Sequence, residues 1–190
     1  MKFVEALAFV SDALENADVP NAKADAHWLI CHAAGISKSE LLHRVSFDLG
    51  LQPEQIETLM SSLDKRLQRI PLQHITGKAS FRMLELSVGP GVFIPRPETE
   101  GVAQLGIDYL KSLAGSGLAL DIGSGSGAIA IALATEVPGA RVIAVEASED
   151  AAKYTAANIA QWAPAVELRV GEFQDHVLDL AGQLDLVISN

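Results

Sequence analysis

Asp121, Gly123, Gly125 and Gly127 set an acid ahead of three strictly alternating glycines, with Ser124 and Ser126 between them. This pattern suits a nucleotide-like cofactor. Glycines let the backbone come close to a ligand, and a helix starting just after them has N–H groups free to donate. Gly123, Gly125 and Ala128 also satisfy the dinucleotide pattern G-x-G-x-x-G/A, so spacing alone leaves a nicotinamide or flavin site open. A second acid, Glu146, closes the apolar run that starts at Ala140. An acid at that position accepts hydrogen bonds from ribose hydroxyls in either cofactor class. The five histidines and the single Cys31 are scattered without zinc-like spacing, so no metal is expected.

The elements around these residues alternate. Gly117–Leu120 reads as a buried parallel strand ending at Asp121, and Ala128–Ala134 reads as the helix after it. Ala140–Val145 is a second strand, and Ser148 caps a helix running through Ala151, Ala152, Tyr154 and Ile159 to about Trp162. Val166–Val170 and Leu184–Ser189 supply two more strands. Ahead of the glycine turn, Pro97 starts a helix with Glu98 and Glu100 in its first turn, where the macrodipole favours acids. Val102, Leu105, Tyr109, Leu110 and Leu113 continue that helix, and Gly115 is expected to end it. This start accounts for the second proline and the acids, but gives no reason for Arg96 or for Phe93-Ile94-Pro95.

The first third of the chain reads as helical. Phe3, Leu7, Val10 and Leu14 lie on one face. Asn21 precedes a helix that Gly35 terminates. Ser37 and Glu40 form a capping box, and Pro53 opens a helix carrying Ile56, Leu59, Met60, Leu63, Leu67 and Ile70, which Pro71 stops. The charged stretch Asp64-Lys-Arg66 is expected to be solvated surface. Ile75–Phe81 is expected to form a hairpin turning at Gly77-Lys78, followed by a half-buried strand at Leu84, Leu86 and Val88.

Composition narrows the class. The chain has 190 residues, 49% of them hydrophobic, enough for one good core or a small domain beside a larger one. No apolar run approaches a spanning length of about 18–20 residues. The acids Glu5, Asp12 and Glu15 are foreign to a signal peptide, so a cytoplasmic protein without a membrane role is expected. The formal charge of −10 disfavours direct nucleic-acid binding and suits a basic protein partner.

D-x-G-x-G-x-G at Asp121–Gly127 resembles the first motif of class I S-adenosylmethionine-dependent methyltransferases. Taken with PLQHITG (Pro71–Gly77) and GVFIPRPETE (Gly91–Glu100), it resembles the HemK/PrmC family of release factor glutamine methyltransferases. The resemblance runs along the whole chain and is strongest from Pro71 to Gly127. It implies an α/β fold: a Rossmann-like methyltransferase domain at 96–190, preceded by a helical bundle at 1–71 and a β-hairpin linker at 72–95. The bundle is a candidate substrate-binding domain. The implied cofactor is S-adenosyl-L-methionine, held by Asp121, Gly123, Ser124, Gly125, Ser126, Gly127, Glu146, Phe173 and Asn190. Phe173 would stack on adenine, and Arg96 and Asn190 would bind substrate. Glu98, the two serines and Glu146 stand where the family usually has Asp, threonines and Asp, exchanges that keep the chemistry.

In that family Asn190 is the first letter of N-P-P-Y, whose amide and backbone carbonyls accept both N–H bonds of a substrate amide and so act catalytically. The implied substrate is the glutamine of the Gly-Gly-Gln loop in bacterial class I release factors, a modification belonging to translation termination. Since the chain stops at Asn190, a C-terminally shortened copy with weak or no activity alone is expected. N-P-P-Y also occurs in adenine-N6 methyltransferases of nucleic acid. That alternative conflicts with the acidic balance and the IPRPETE linker. A nicotinamide-dependent dehydrogenase or a non-catalytic nucleotide-binding module is the remaining reading of the glycine turn.

Overall fold

A computed structural model describes residues 1–114 and 116–190, and the chain divides into two compact units, Met1–Thr76 and Gly77–Asn190. The expected helix stop at Gly115 lies outside the described residues.

The first unit is helical: α1 (Phe3–Asn16), α2 (Ala22–Ala34), α3 (Lys38–Ser46), α4 (Pro53–Leu67) and the short α5 (Leu72–Thr76). Its starts and stops follow local chemistry. The Ser37 hydroxyl accepts from the Glu40 N–H at 3.1 Å, and Gly35 closes α2 in the left-handed conformation at φ 65°. Phe3, Val10, Leu14, Leu29, Ile30, Leu41 and Leu59 meet in a dry core. Two expectations fail here. Arg66 is not plain surface: its Nε donates to Asp25 Oδ2 at 2.7 Å, with the two side chains only 15% and 10% exposed. Pro71 does not stop α4, which ends at Leu67, and residues 72–76 form α5 rather than the arm of a hairpin.

The second unit opens with an antiparallel hairpin, β1 (Lys78–Phe81) and β2 (Leu84–Ser87). Phe81 pairs with Leu84, so the turn is Arg82-Met83, not Gly77-Lys78. Neither residue is a usual turn former. Arg82 adopts a positive φ of 52° because distant groups hold it there. Its backbone N–H donates to Glu100 Oε1 at 2.8 Å, and its guanidinium donates to Glu136 at 2.5 and 2.8 Å and to Gln104 at 2.7 Å. Phe81, Leu84 and Leu86 sit in the same apolar core as Ala103, Ile107 and Ile131.

The rest is a parallel α/β layer: α6 (Pro97–Ser112), β3 (Gly117–Ile122), α7 (Ala128–Glu136), β4 (Ala140–Glu146), α8 (Glu149–Trp162), β5 (Glu167–Val170), the one-turn α9 (Phe173–His176) and β6 (Leu186–Ile188). The sheet order is β5-β4-β3-β6, with every pairing parallel. The buried face of α6 carries Ala103, Gly106, Ile107 and Leu110, whereas Leu105 is 73% exposed. A Cβ at Gly106 would lie 3.1–3.3 Å from Leu133, Ile188 and Leu186, so the helix packs through its smallest residue.

Candidate functional site

Strand order reverses beside β3: the chain leaves it outward to β4 and β5, then returns to its other side as β6. A crevice at the carboxyl ends of the strands at such a point is where open α/β sheets bind ligands. The glycine turn follows β3 and Asn190 follows β6, and the register pairs Asp121 with Ile188. Both candidate segments therefore leave the sheet at its carboxyl end.

The turn is tied down from several sides. Gly123 and Ser124 donate to the Val145 carbonyl at 2.9 and 3.1 Å, and Gly127 donates to the Ser124 carbonyl at 2.7 Å. Gly123, Gly125 and Gly127 all have positive φ, at 71°, 57° and 82°, which excludes strain-free L side chains. Asp121 is fully buried, and its Oδ2 accepts from the Ala130 N–H at 3.0 Å, satisfying one orphan donor in the first turn of α7. Burial pushes its pKa up to about 7. The Ala130 hydrogen bond opposes that shift, and the nearby Glu146 charge adds to it.

Glu146 is bound at both oxygens, accepting from Gly125 N–H at 2.7 Å and from Ser148 N–H at 2.8 Å. A carboxylate has about four lone-pair sites, so ribose hydroxyls could still be accepted. Gly171 N–H donates to the Glu146 carbonyl at 2.8 Å, which brings the loop bearing the 40% exposed Phe173 to this strand end.

The residues fit a polar nucleoside. A Cβ added at Gly123 or Gly125 would meet nothing within 4 Å, so the turn presents an open face there. Beside it, the buried Ser124 hydroxyl has no hydrogen-bond partner among the described residues, leaving donor and acceptor capacity unspent. No group of His, Cys, Asp and Glu suited to a metal occurs among the described residues.

Asn190 is exposed, and its Nδ2 donates to Thr99 Oγ1 at 2.6 Å, while Ser189 Oγ donates to the Ile122 carbonyl at 2.8 Å. Arg96 sits at the N-cap of α6 with its side chain exposed.

Residues 5–77 match the PrmC N-terminal domain, and residues 119–190 match a methyltransferase domain. The chain is 45% identical to the release factor glutamine methyltransferase of Streptomyces coelicolor, over 97% of this chain and 63% of that protein. The enzyme of the same name from Bifidobacterium longum is 36% identical, over 95% and 65%. The chain belongs to the HemK/PrmC family. It spans less than two thirds of the length of these two relatives. A solved RNA methyltransferase from Salinibacter ruber, in complex with S-adenosyl-L-homocysteine, is 27% identical, and the match covers 52% of this chain and 60% of that one at a TM-score of 0.41. The α/β unit of this HemK/PrmC chain is a class I S-adenosylmethionine-dependent methyltransferase fold with four parallel strands, and a helical part precedes it in the sequence.

Three residues that tie the candidate site together were not singled out as site residues from the sequence. Asn158, fully buried on α8, donates to the Ser126 carbonyl at 2.8 Å and the Ser87 carbonyl at 2.9 Å, and accepts from Ser87 N–H at 2.7 Å. Thr155, one turn earlier, donates to the Gly125 carbonyl at 2.5 Å. Thr99 holds Asn190. A buried amide or hydroxyl within an apolar helical face was the available clue, since such groups are kept only where they find partners.

Proposed function

We propose that this protein uses S-adenosyl-L-methionine to methylate N5 of the glutamine in the Gly-Gly-Gln loop of class I release factors, in the cytoplasm, during the cycle of translation termination. The observation that carries the reading is Asn190, a side-chain amide at the end of β6 beside the glycine turn, in a chain of the HemK/PrmC family. The proposed cofactor residues are Asp121, Gly123, Ser124, Gly125, Ser126, Gly127, Glu146 and Phe173, with Asn190 and Arg96 on the substrate side.

When bound, S-adenosylmethionine supplies a methyl group from a sulfonium sulfur that keeps the electron pair of the broken bond. The remaining work falls to the chain. An amide nitrogen is a poor nucleophile because its lone pair is delocalised into the carbonyl. The Asn190 Oδ1 accepts one of its N–H bonds, which turns the lone pair toward the methyl group and offsets positive charge growing on nitrogen. No ionised base is needed before transfer, since the nitrogen proton departs to water afterwards. Asp121, when ionised, favours a cationic amino-acid end near the turn.

The test is methyl transfer from isotopically labelled S-adenosylmethionine to a purified release factor, with DNA and RNA in parallel, read by peptide mass spectrometry. Any label transferred by this chain, however little, is expected on the loop glutamine as a single methyl group. Label on adenine instead, or retention of NAD rather than S-adenosylhomocysteine, would overturn the reading.

A further inference from the structure

We propose that Thr99 is a positioning residue for methyl transfer: its hydroxyl holds Asn190 by Nδ2 and thereby leaves Oδ1 to face the substrate nitrogen. This rests on the glutamine-methylation reading above. The χ2 torsion of an exposed asparagine is broad and roughly two-fold, so an unrestrained amide presents either its oxygen or its NH2 outward. Only one face is useful. A substrate amide brings N–H donors, and an outward NH2 would oppose donor to donor.

The geometry supplies the restraint. Thr99 Oγ1 lies 2.6 Å from Asn190 Nδ2, across the gap between the start of α6 and the end of β6. Both ends of this contact are themselves fixed. Thr99 sits in a helix started by Pro97, its N–H donates to the Arg96 carbonyl at 3.0 Å, and its β-branched side chain is stiff at χ1. On the other side, Ser189 is pinned to the Ile122 carbonyl at 2.8 Å, and Ile188 pairs with Asp121 in the sheet.

Thr99→Val removes the hydroxyl at constant shape, and Thr99→Ser keeps it. The side-chain amide of Asn190 is followed by ¹⁵N NMR, assigned by its disappearance in Asn190→Asp. Slowed exchange of the amide protons with water is expected in the wild-type protein and in Thr99→Ser, and its loss in Thr99→Val. In the methylation assay, Thr99→Val should lower kcat about tenfold with KM for S-adenosylmethionine unchanged, and Thr99→Ser should restore it. An Asn190 amide that is unchanged in Thr99→Val, or a Thr99→Val enzyme with wild-type kcat, overturns the proposal. Methyl label on adenine rather than on the glutamine would sink the functional reading instead, and the NMR comparison would still decide the Thr99 contact.

Discussion

Among single residues, Asp121 carries the sharpest pH signature. Its carboxyl titrates near 7 in the folded chain, against an ordinary value of 3.8. Between those values the folded state holds a proton that the unfolded state has released, so stability falls as pH rises from about 4 to about 7 and is flat above that. Asp121→Asn keeps an acceptor for Ala130 and removes the titration. The melting temperature of the wild-type protein should therefore drop more between pH 5 and pH 8 than that of the variant, as read by circular dichroism. The glycines divide by the space around them. Gly127→Ala forces an alanine to φ 82° and puts its Cβ 3.1 Å from Ile131 and 3.2 Å from Thr155. It should cost about 1–3 kcal/mol of stability in denaturant unfolding. Gly123→Ala meets no protein atom within 4 Å, so its larger effect should be on S-adenosylhomocysteine affinity, measured by calorimetry.

At the level of elements, the hairpin is held by side chains rather than by its own turn. Arg82→Ala removes its bonds to Glu136 and Gln104, in a pair whose side chains are 17% and 29% exposed. A loss of about 2 kcal/mol is expected, seen as a lower urea midpoint with unchanged slope. The same contrast explains what was legible beforehand. The start of α6 at Pro97, the Ser148 cap of α8 and the αL glycine after α2 obey rules spanning a few residues, and the sequence reading located them. The Arg82-Met83 turn obeys no such rule, because its positive φ is imposed by Glu100, Gln104 and Glu136 from other elements. The candidate site divides the same way. Its glycines, Asp121 and Glu146 form a local pattern, whereas Thr99, Thr155 and Asn158 acquire their partners only through tertiary packing.

For the molecule as a whole, the glycine turn, Glu146, Phe173 and Asn158 all belong to Gly77–Asn190. A fragment of those residues should retain S-adenosylhomocysteine binding close to that of the whole chain in calorimetry. Loss of binding would assign the helical unit a share in the cofactor site. The net charge of −10 belongs to the molecule rather than to any one element. If a basic partner is engaged, its association rate should fall steeply as ionic strength rises past physiological values, measured by stopped flow. The three hydrogen bonds of Asn158 carry a practical corollary for protein engineering. Any shortened version beginning at Pro97, the start of α6, would discard Ser87 and strand a desolvated amide beside the glycine turn. Trimming from the amino end should therefore stop ahead of Lys78.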